Sequence, residues 1–165
     1  MPDLALIAHN LRSTHNVGSL LRTADGLGVK KVYLTGYTPY PSREDDDRLP
    51  HLAAKIDKQI SKTALGAEAS QAWNRVETIE SAIAELRQSG FQIVALEQTP
   101  NSQPLPDFKP GPKVALVVGR EVEGIEPEIL DLCDVAVEIP MFGSKESFNV
   151  SVAAAIALAY CRFQA

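Results

Sequence analysis

Three short stretches of this 165-residue chain concentrate the residue types that do chemistry. The first runs Asn10-Leu11-Arg12-Ser13-Thr14-His15-Asn16-Val17-Gly18-Ser19-Leu20-Leu21-Arg22-Thr23. Val17, Leu20, Leu21 and Ala24 recur at helical spacing and define a buried stripe, so Asn16, Ser19, Arg22 and Thr23 project from the other side. Two arginines, two asparagines and a histidine around one helix start suit an anionic or hydroxyl-rich substrate. A capped helix with a solvated polar face would look the same, and His15 alone reads as structural or solvent-facing.

The second stretch is Val118-Gly119-Arg120-Glu121-Val122-Glu123-Gly124-Ile125. A glycine directly after a buried strand lets a ligand approach the backbone closely. This is not the dinucleotide fingerprint, because Glu121 replaces its second glycine. A carboxylate there opposes a pyrophosphate but accepts a neutral or cationic ligand, or hydrogen bonds from ribose or loop amides. An ordinary glycine turn is equally compatible. The third stretch is Ile139-Pro140-Met141-Phe142-Gly143-Ser144-Lys145-Glu146-Ser147-Phe148-Asn149-Val150-Ser151-Val152. Ser147 lies three residues before Val150, where an N-cap is expected. Residues 153–160 are nearly all small or apolar, as in an internal helix or one packed across a subunit interface.

The elements that must position these stretches alternate along the chain. Strands are expected at residues 4–8, 31–35, 75–77, 91–96, 114–118 and 135–139. Helices are expected at 16–27, 52–65, 79–88, 127–132 and 149–161, the third ended by Gly90. Residues 37–50 carry prolines and the run Glu44-Asp45-Asp46-Asp47, the mark of a solvated loop. The pattern is that of a single α/β domain with a mostly parallel sheet and helices on both faces. All three stretches then fall where a strand hands over to a helix, the place where such sheets bind ligands.

Composition narrows the class. Apolar residues make up 45% and charged residues 22%, ordinary values for a globular domain. The net charge of −5 argues against indiscriminate nucleic-acid binding, yet residues 1–43 carry +3 and the remainder −8, so a basic face on an acidic body is possible. No apolar run approaches the ~20 residues of a membrane span, and Met-Pro-Asp-Leu does not open a secretory signal. Cys133 and Cys161, the only cysteines, lack metal-ligand spacing and sit in apolar surroundings. Buried free thiols in a reducing cytoplasm are expected, with no metal and no membrane.

Taken in order, the three stretches resemble the three motifs of the TrmH (SpoU) family in the SPOUT superfamily of RNA methyltransferases. The first is similar to that family's Asn-…-Gly-…-Arg-Thr segment, the second to its Gly-x-Glu-x-x-Gly turn, and the third to its Ile-Pro-Met-x-Gly-x-x-x-Ser-Leu-Asn-Val-Ser segment. The similarity spans essentially the whole chain. It implies an S-adenosyl-L-methionine-dependent enzyme that methylates a ribose 2′-hydroxyl of RNA, tRNA ahead of rRNA. It also implies a C-terminal trefoil knot, a homodimer, and an active site built from both subunits.

Carried over by position, Leu96, Gly119, Ile139, Met141, Ser147 and Phe148 would surround the cofactor. Arg22 matches the catalytic arginine, and Asn16, Glu121, Ser147 and Asn149 match its supporting polar residues. Phe148 stands where leucine is usual and Arg120 where asparagine is common. The chain resembles minimal members that lack an extra N-terminal substrate-binding domain, and its Lys62-Thr63-Ala64-Leu65-Gly66-Ala67 stretch is similar to a family loop of unassigned role. Arg12 and Lys145 are candidates for phosphate contacts. The competing readings are a knotted RNA-binding protein without catalysis and an α/β enzyme for a small nucleotide, the latter disfavoured by the missing phosphate loop.

Overall fold

β1 (Asp3–His9) and β6 (Lys113–Val118) are almost uninterrupted apolar runs because both faces of each strand are covered. The computed structural model describes residues 1–164. Around these two strands the chain adds α1 (Thr14–Gly26), β2 (Lys31–Thr35), α2 (Pro50–Ala64), α3 (Ala67–Ser70), β3 (Trp73–Val76), α4 (Ile79–Gln88), β4 (Gln92–Leu96) and β5 (Gln103–Pro104). After β6 come α5 (Pro127–Leu130), β7 (Val135–Glu138) and α6 (Val150–Gln164). Among the described residues, seven strands form one parallel sheet in the order β3-β2-β1-β6-β4-β7-β5.

Alternate strand residues feed two cores. Leu4, Leu6, Val114 and Leu116 point to one face, where Leu20 and Leu21 of α1, Ile60 of α2 and Leu158 of α6 cover them. Ala5, Ile7, Ala115 and Val117 point to the other, under Ile79, Ile83 and Leu86 of α4 and Ile129 of α5. The expected α/β architecture is therefore observed.

Differences from expectation are local. The first helix begins at Thr14, two residues early, because the Ser13 hydroxyl caps it by accepting from the Asn16 N–H at 3.1 Å. α3 and the two-residue β5 carry too few residues to show any periodicity. The last helix starts at Val150, and the Asn149 side chain, not Ser147, caps it: Asn149 Oδ1 accepts from the Ser151 N–H at 2.9 Å. Both cysteines are free, Cys161 buried and Cys133 half-buried, and burial pushes both thiols up to about 11.

Candidate functional site

The strand registers bring the carboxyl ends of the central strands level, with Ala8 opposite Val118, Ala95 opposite Val117 and Leu96 opposite Val137. The three chemistry-bearing stretches leave from these ends and meet. Glu121 joins the first two. Its carboxylate accepts from the backbone N–H groups of Arg12 (3.1 Å) and Ser13 (3.0 Å), and from the Asn16 amide at 3.4 Å. Asn16 in turn accepts from the Asn149 amide at 3.1 Å, which ties in the third. Burial by itself would raise the Glu121 pKa, but donation from Ser13, its own backbone, Arg12 and Asn16 outweighs that and holds it below the ordinary carboxylate value. The carboxylate is thus a fixed anion whose donors are mostly main chain.

Beside this junction opens a cavity of about 260 Å³. Leu96, Gly119, Ile139, Met141, Ser147 and Phe148 all line it, together with Glu121, Val118, Val150 and Ala153. Its apolar walls come from the ends of β4, β6 and β7 and the start of α6. Its charged rim is acidic: Glu97, Glu121, Glu138 and Glu146 face Arg120 as the lone lining cation. Arg120 is itself engaged, with Nε 3.6 Å from Glu126 Oε1. Such a cavity fits a ligand with a flat apolar part and a positive centre, and repels a pyrophosphate.

A Cβ at Gly119 would come within 2.7 Å of the Ile125 side chain and 2.9 Å of the Gly124 carbonyl. That glycine is needed first to close its own turn, rather than to admit a ligand. Arg22 is exposed on α1, makes no hydrogen bond or ion pair among the described residues, and does not line its own chain's cavity. Lys145 and Ser147 are likewise exposed without such partners. Arg12 points its guanidinium at Glu123, 3.8 Å away, while its backbone serves Glu121.

Two carboxylates were not legible as site residues. Glu97, directly after β4, braces the second turn: its Oε2 accepts from the Ile125 N–H at 2.9 Å and lies against Gly124, whose φ of +74° a side chain would strain. Glu126 reaches back to the end of β1, accepting from the Asn10 amide at 3.0 Å. Neither has a spacing signature; for Glu97 the only clue is its position directly after a central strand, and Glu126, eight residues beyond β6, offers none. The neighbouring Gln98 lines the cavity and donates to the Glu146 carbonyl at 3.0 Å, linking the cavity's two rims.

The sequence profile of the SpoU rRNA Methylase family matches residues 3–159. The chain is 33% identical to a tRNA (guanosine(18)-2′-O)-methyltransferase of Aquifex aeolicus, over 94% of its own length and 67% of the relative's. It is 32% identical to the 23S rRNA (guanosine-2′-O-)-methyltransferase RlmB of Neisseria meningitidis, over 99% of its own length and 59% of the relative's. It therefore spans about two thirds or less of the curated relatives it matches. The crystal structure of the A. aeolicus TrmH/SpoU tRNA modifying enzyme superposes with a TM-score of 0.78 at 28% identity, covering 99% of this chain and 76% of that one. The chain belongs to the SpoU rRNA methylase family.

Proposed function

We propose that this domain transfers a methyl group from S-adenosyl-L-methionine to a ribose 2′-hydroxyl of RNA, with tRNA ahead of rRNA as substrate, and that it works as a knotted homodimer in the cytoplasm. The convergence of the three stretches through Glu121 and Asn16, beside an apolar cavity with an acidic rim, carries this reading. Supporting it, the matched relatives are named as 2′-O-methyltransferases of tRNA and rRNA. When bound, the cofactor would supply an electrophilic methyl group on a sulfonium. Leu96, Ile139, Met141 and Phe148 would enclose its apolar part, and the rim carboxylates would balance its positive charge. β4, which precedes β6 and β7 in the chain, lies between them in the sheet, an arrangement compatible with a chain threaded through its own loops.

Positioning an acceptor in line with the methyl group can account for ~7–11 kcal/mol of barrier lowering, so no covalent intermediate is required. Arg22 would orient the ribose hydroxyl and its neighbouring phosphate and stabilise the developing alkoxide. A guanidinium stays protonated and is a poor base. Because Arg22 lies outside its own chain's cavity, it would serve the partner's. α6 supports such a partner. Ala154, Ala157, Leu158 and Cys161 form a stripe buried on the chain's own sheet, whereas Val152, Ile156 and Phe163 form a second stripe on the opposite side that is 47%, 36% and 73% exposed.

The test combines three measurements on the full chain. Calorimetry should show uptake of S-adenosylhomocysteine, and labelled S-adenosylmethionine should transfer its methyl group to unfractionated tRNA, recovered as 2′-O-methylated nucleosides. Uptake with no transfer to tRNA or rRNA would leave the non-catalytic knotted binder; no uptake by folded protein sinks the proposal. For the dimer, Arg22→Ala protein is mixed with a Met141→Arg protein whose cavity is blocked. Arg22→Ala alone should lose activity on the order of a hundredfold or more. If the sites are shared, mixed dimers regain one working site of two, about a quarter of full activity in an equal mixture; no recovery places Arg22 and the cavity in the same subunit.

A further inference from the structure

A protein of net charge −5 that handles a polyanion must meet it through a local positive face, and the pairing of its cations shows where that face lies. Of the sixteen lysines and arginines, most are committed. Lys30 pairs with Asp3, Lys31 with Glu85, Arg48 with Asp46, and Arg87 with Asp134, each within 3.2 Å. Arg12, Arg43 and Arg120 also face carboxylates, and Arg162 is spent on the carbonyls of Leu27, Pro2 and Gly28. Arg75 and Lys113 donate to backbone carbonyls. Six remain without a hydrogen-bond or ion-pair partner among the described residues: Arg22, Lys55, Lys58, Lys62, Lys109 and Lys145. Three of the six fall on α2.

Their placement on that helix is specific. α2 buries Ala53, Ile60 and Ala64 against the sheet. At 100° per residue, Lys55, Lys58 and Lys62 fall within about 60° of arc on the opposite, outward side. His51 continues the row by one turn, and all four are exposed. The helix carries a net +2 within a chain that is otherwise −7. Its carboxyl end is locked to α1: a side chain at Gly18 would overlap Thr63 and the Ile60 carbonyl, and the Thr63 hydroxyl donates to the His15 carbonyl at 2.7 Å. Gly18 lies between His15 and Arg22 along one row of α1, so the lysine row terminates beside the helix that bears Arg22.

We infer that the outer face of α2, Lys55, Lys58 and Lys62, is a track for the phosphate backbone of the substrate RNA, leading to Arg22. The face is sequence-blind, since lysines at this spacing neutralise phosphates and offer no fork to read a base. This gives Lys62 and Thr63 distinct roles, the threonine holding the helix crossing and the lysine facing the substrate. The inference rests on the proposed RNA methyltransferase activity.

The test is binding of unfractionated tRNA to the full chain across a salt series, by fluorescence anisotropy. The protein carrying Lys55→Gln, Lys58→Gln and Lys62→Gln should lose roughly two to three from the slope of log affinity against log salt. It should bind on the order of ten- to a hundredfold more weakly at low salt, raise KM for tRNA and keep kcat and S-adenosylhomocysteine affinity. Lys58→Glu alone should act in the same direction. Lys113→Gln, at the amino end of β6, should change nothing. A salt slope equal to that of the parent overturns the track, as does weakening without a slope change. If the parent protein shows no salt-dependent tRNA binding at all, the proposed activity fails and not the track alone.

Discussion

Glu121 and Glu126 sit five residues apart in the connection from β6 to α5, yet they are held in opposite ways. Glu121 stands at the cavity rim and accepts from two backbone N–H groups and one side-chain amide, all belonging to the stretch that carries Arg22. Glu126 is turned inward, towards the end of β1. Its Oε1 accepts from Asn10, but its Oε2 is buried with no hydrogen-bond partner and lies 3.6 Å from His9 Nε2. Although Glu126 sits at the N-cap of α5, its side chain caps nothing there. One carboxylate organises the chemistry; the other fastens strand ends beneath it. Stability and activity should therefore separate between the two positions.

Glu121→Ala should produce the largest effect of the pair. It releases the Arg12–Ser13 backbone and frees Asn16, so the helix bearing Arg22 loses its register to the other two stretches. A misplacement of about 1 Å can cost on the order of a hundredfold in rate. Methyl transfer is expected to drop by that order, whereas unfolding free energy should fall by only about 1 kcal/mol, because water can reach the freed N–H groups. Steady-state kinetics beside chemical denaturation read both. A parallel loss of rate and stability would erase the difference between the two carboxylates.

Glu126→Ala should show the converse. Removing the carboxylate takes away one of the two acceptors of the Asn10 amide, leaving His9 Nε2, and opens a void beside His9, at a cost of about 1–3 kcal/mol. Asn10 is already in the left-handed region at φ 55°, and its side chain is bonded at both ends there: Oδ1 accepts from the Tyr37 N–H at 3.1 Å, and Nδ2 donates to Glu126. The rate per folded molecule should stay within about threefold, since Glu126, Asn10 and His9 do not line the cavity, which this cluster meets only through Arg120, 3.6 Å from Glu126. A loss of rate as large as that of Glu121→Ala would make the two junctions one.

The same contrast shows what the sequence discloses. Glu121 was legible because glycines frame it at Gly119 and Gly124 and because the resemblance carries it. The strand ends on which it depends were legible from apolar runs. Glu126, Glu97 and Thr38 were not, because their partners are set by sheet register: Thr38 donates to the Ala8 carbonyl and accepts from the Leu11 N–H, thirty and twenty-seven residues away. No periodicity encodes such pairs. Arg22 was found by type and spacing, but its separation from the cavity of its own chain is a three-dimensional fact. The α6 surface was half readable: an apolar helix is evident, whereas the division into one covered and one open stripe needs the sheet.

The smallest expected effect concerns protons, and it isolates the inner junction. The Asn10 amide faces His9 Nε2 at 3.2 Å and the Thr35 hydroxyl faces Nδ1 at 2.9 Å, an arrangement that suits a neutral ring with its proton on Nδ1. Burial pushes the His9 pKa below its ordinary 6.5, against the pull of Glu126. As pH falls through 6.5 the unfolded chain takes up this proton before the folded one does, so stability declines from there downward. Glu121 and Glu126, both held below 4.5, give stability that is lost only at lower pH. Between about 6.5 and 4.5 the slope from these three groups thus belongs to His9. His9→Gln should flatten melting temperature against pH in that window by a few degrees. Glu126→Gln should steepen it, because removing the anion depresses the His9 pKa further. A flatter curve for Glu126→Gln would mean that His9 is protonated in the folded state and paired with Glu126.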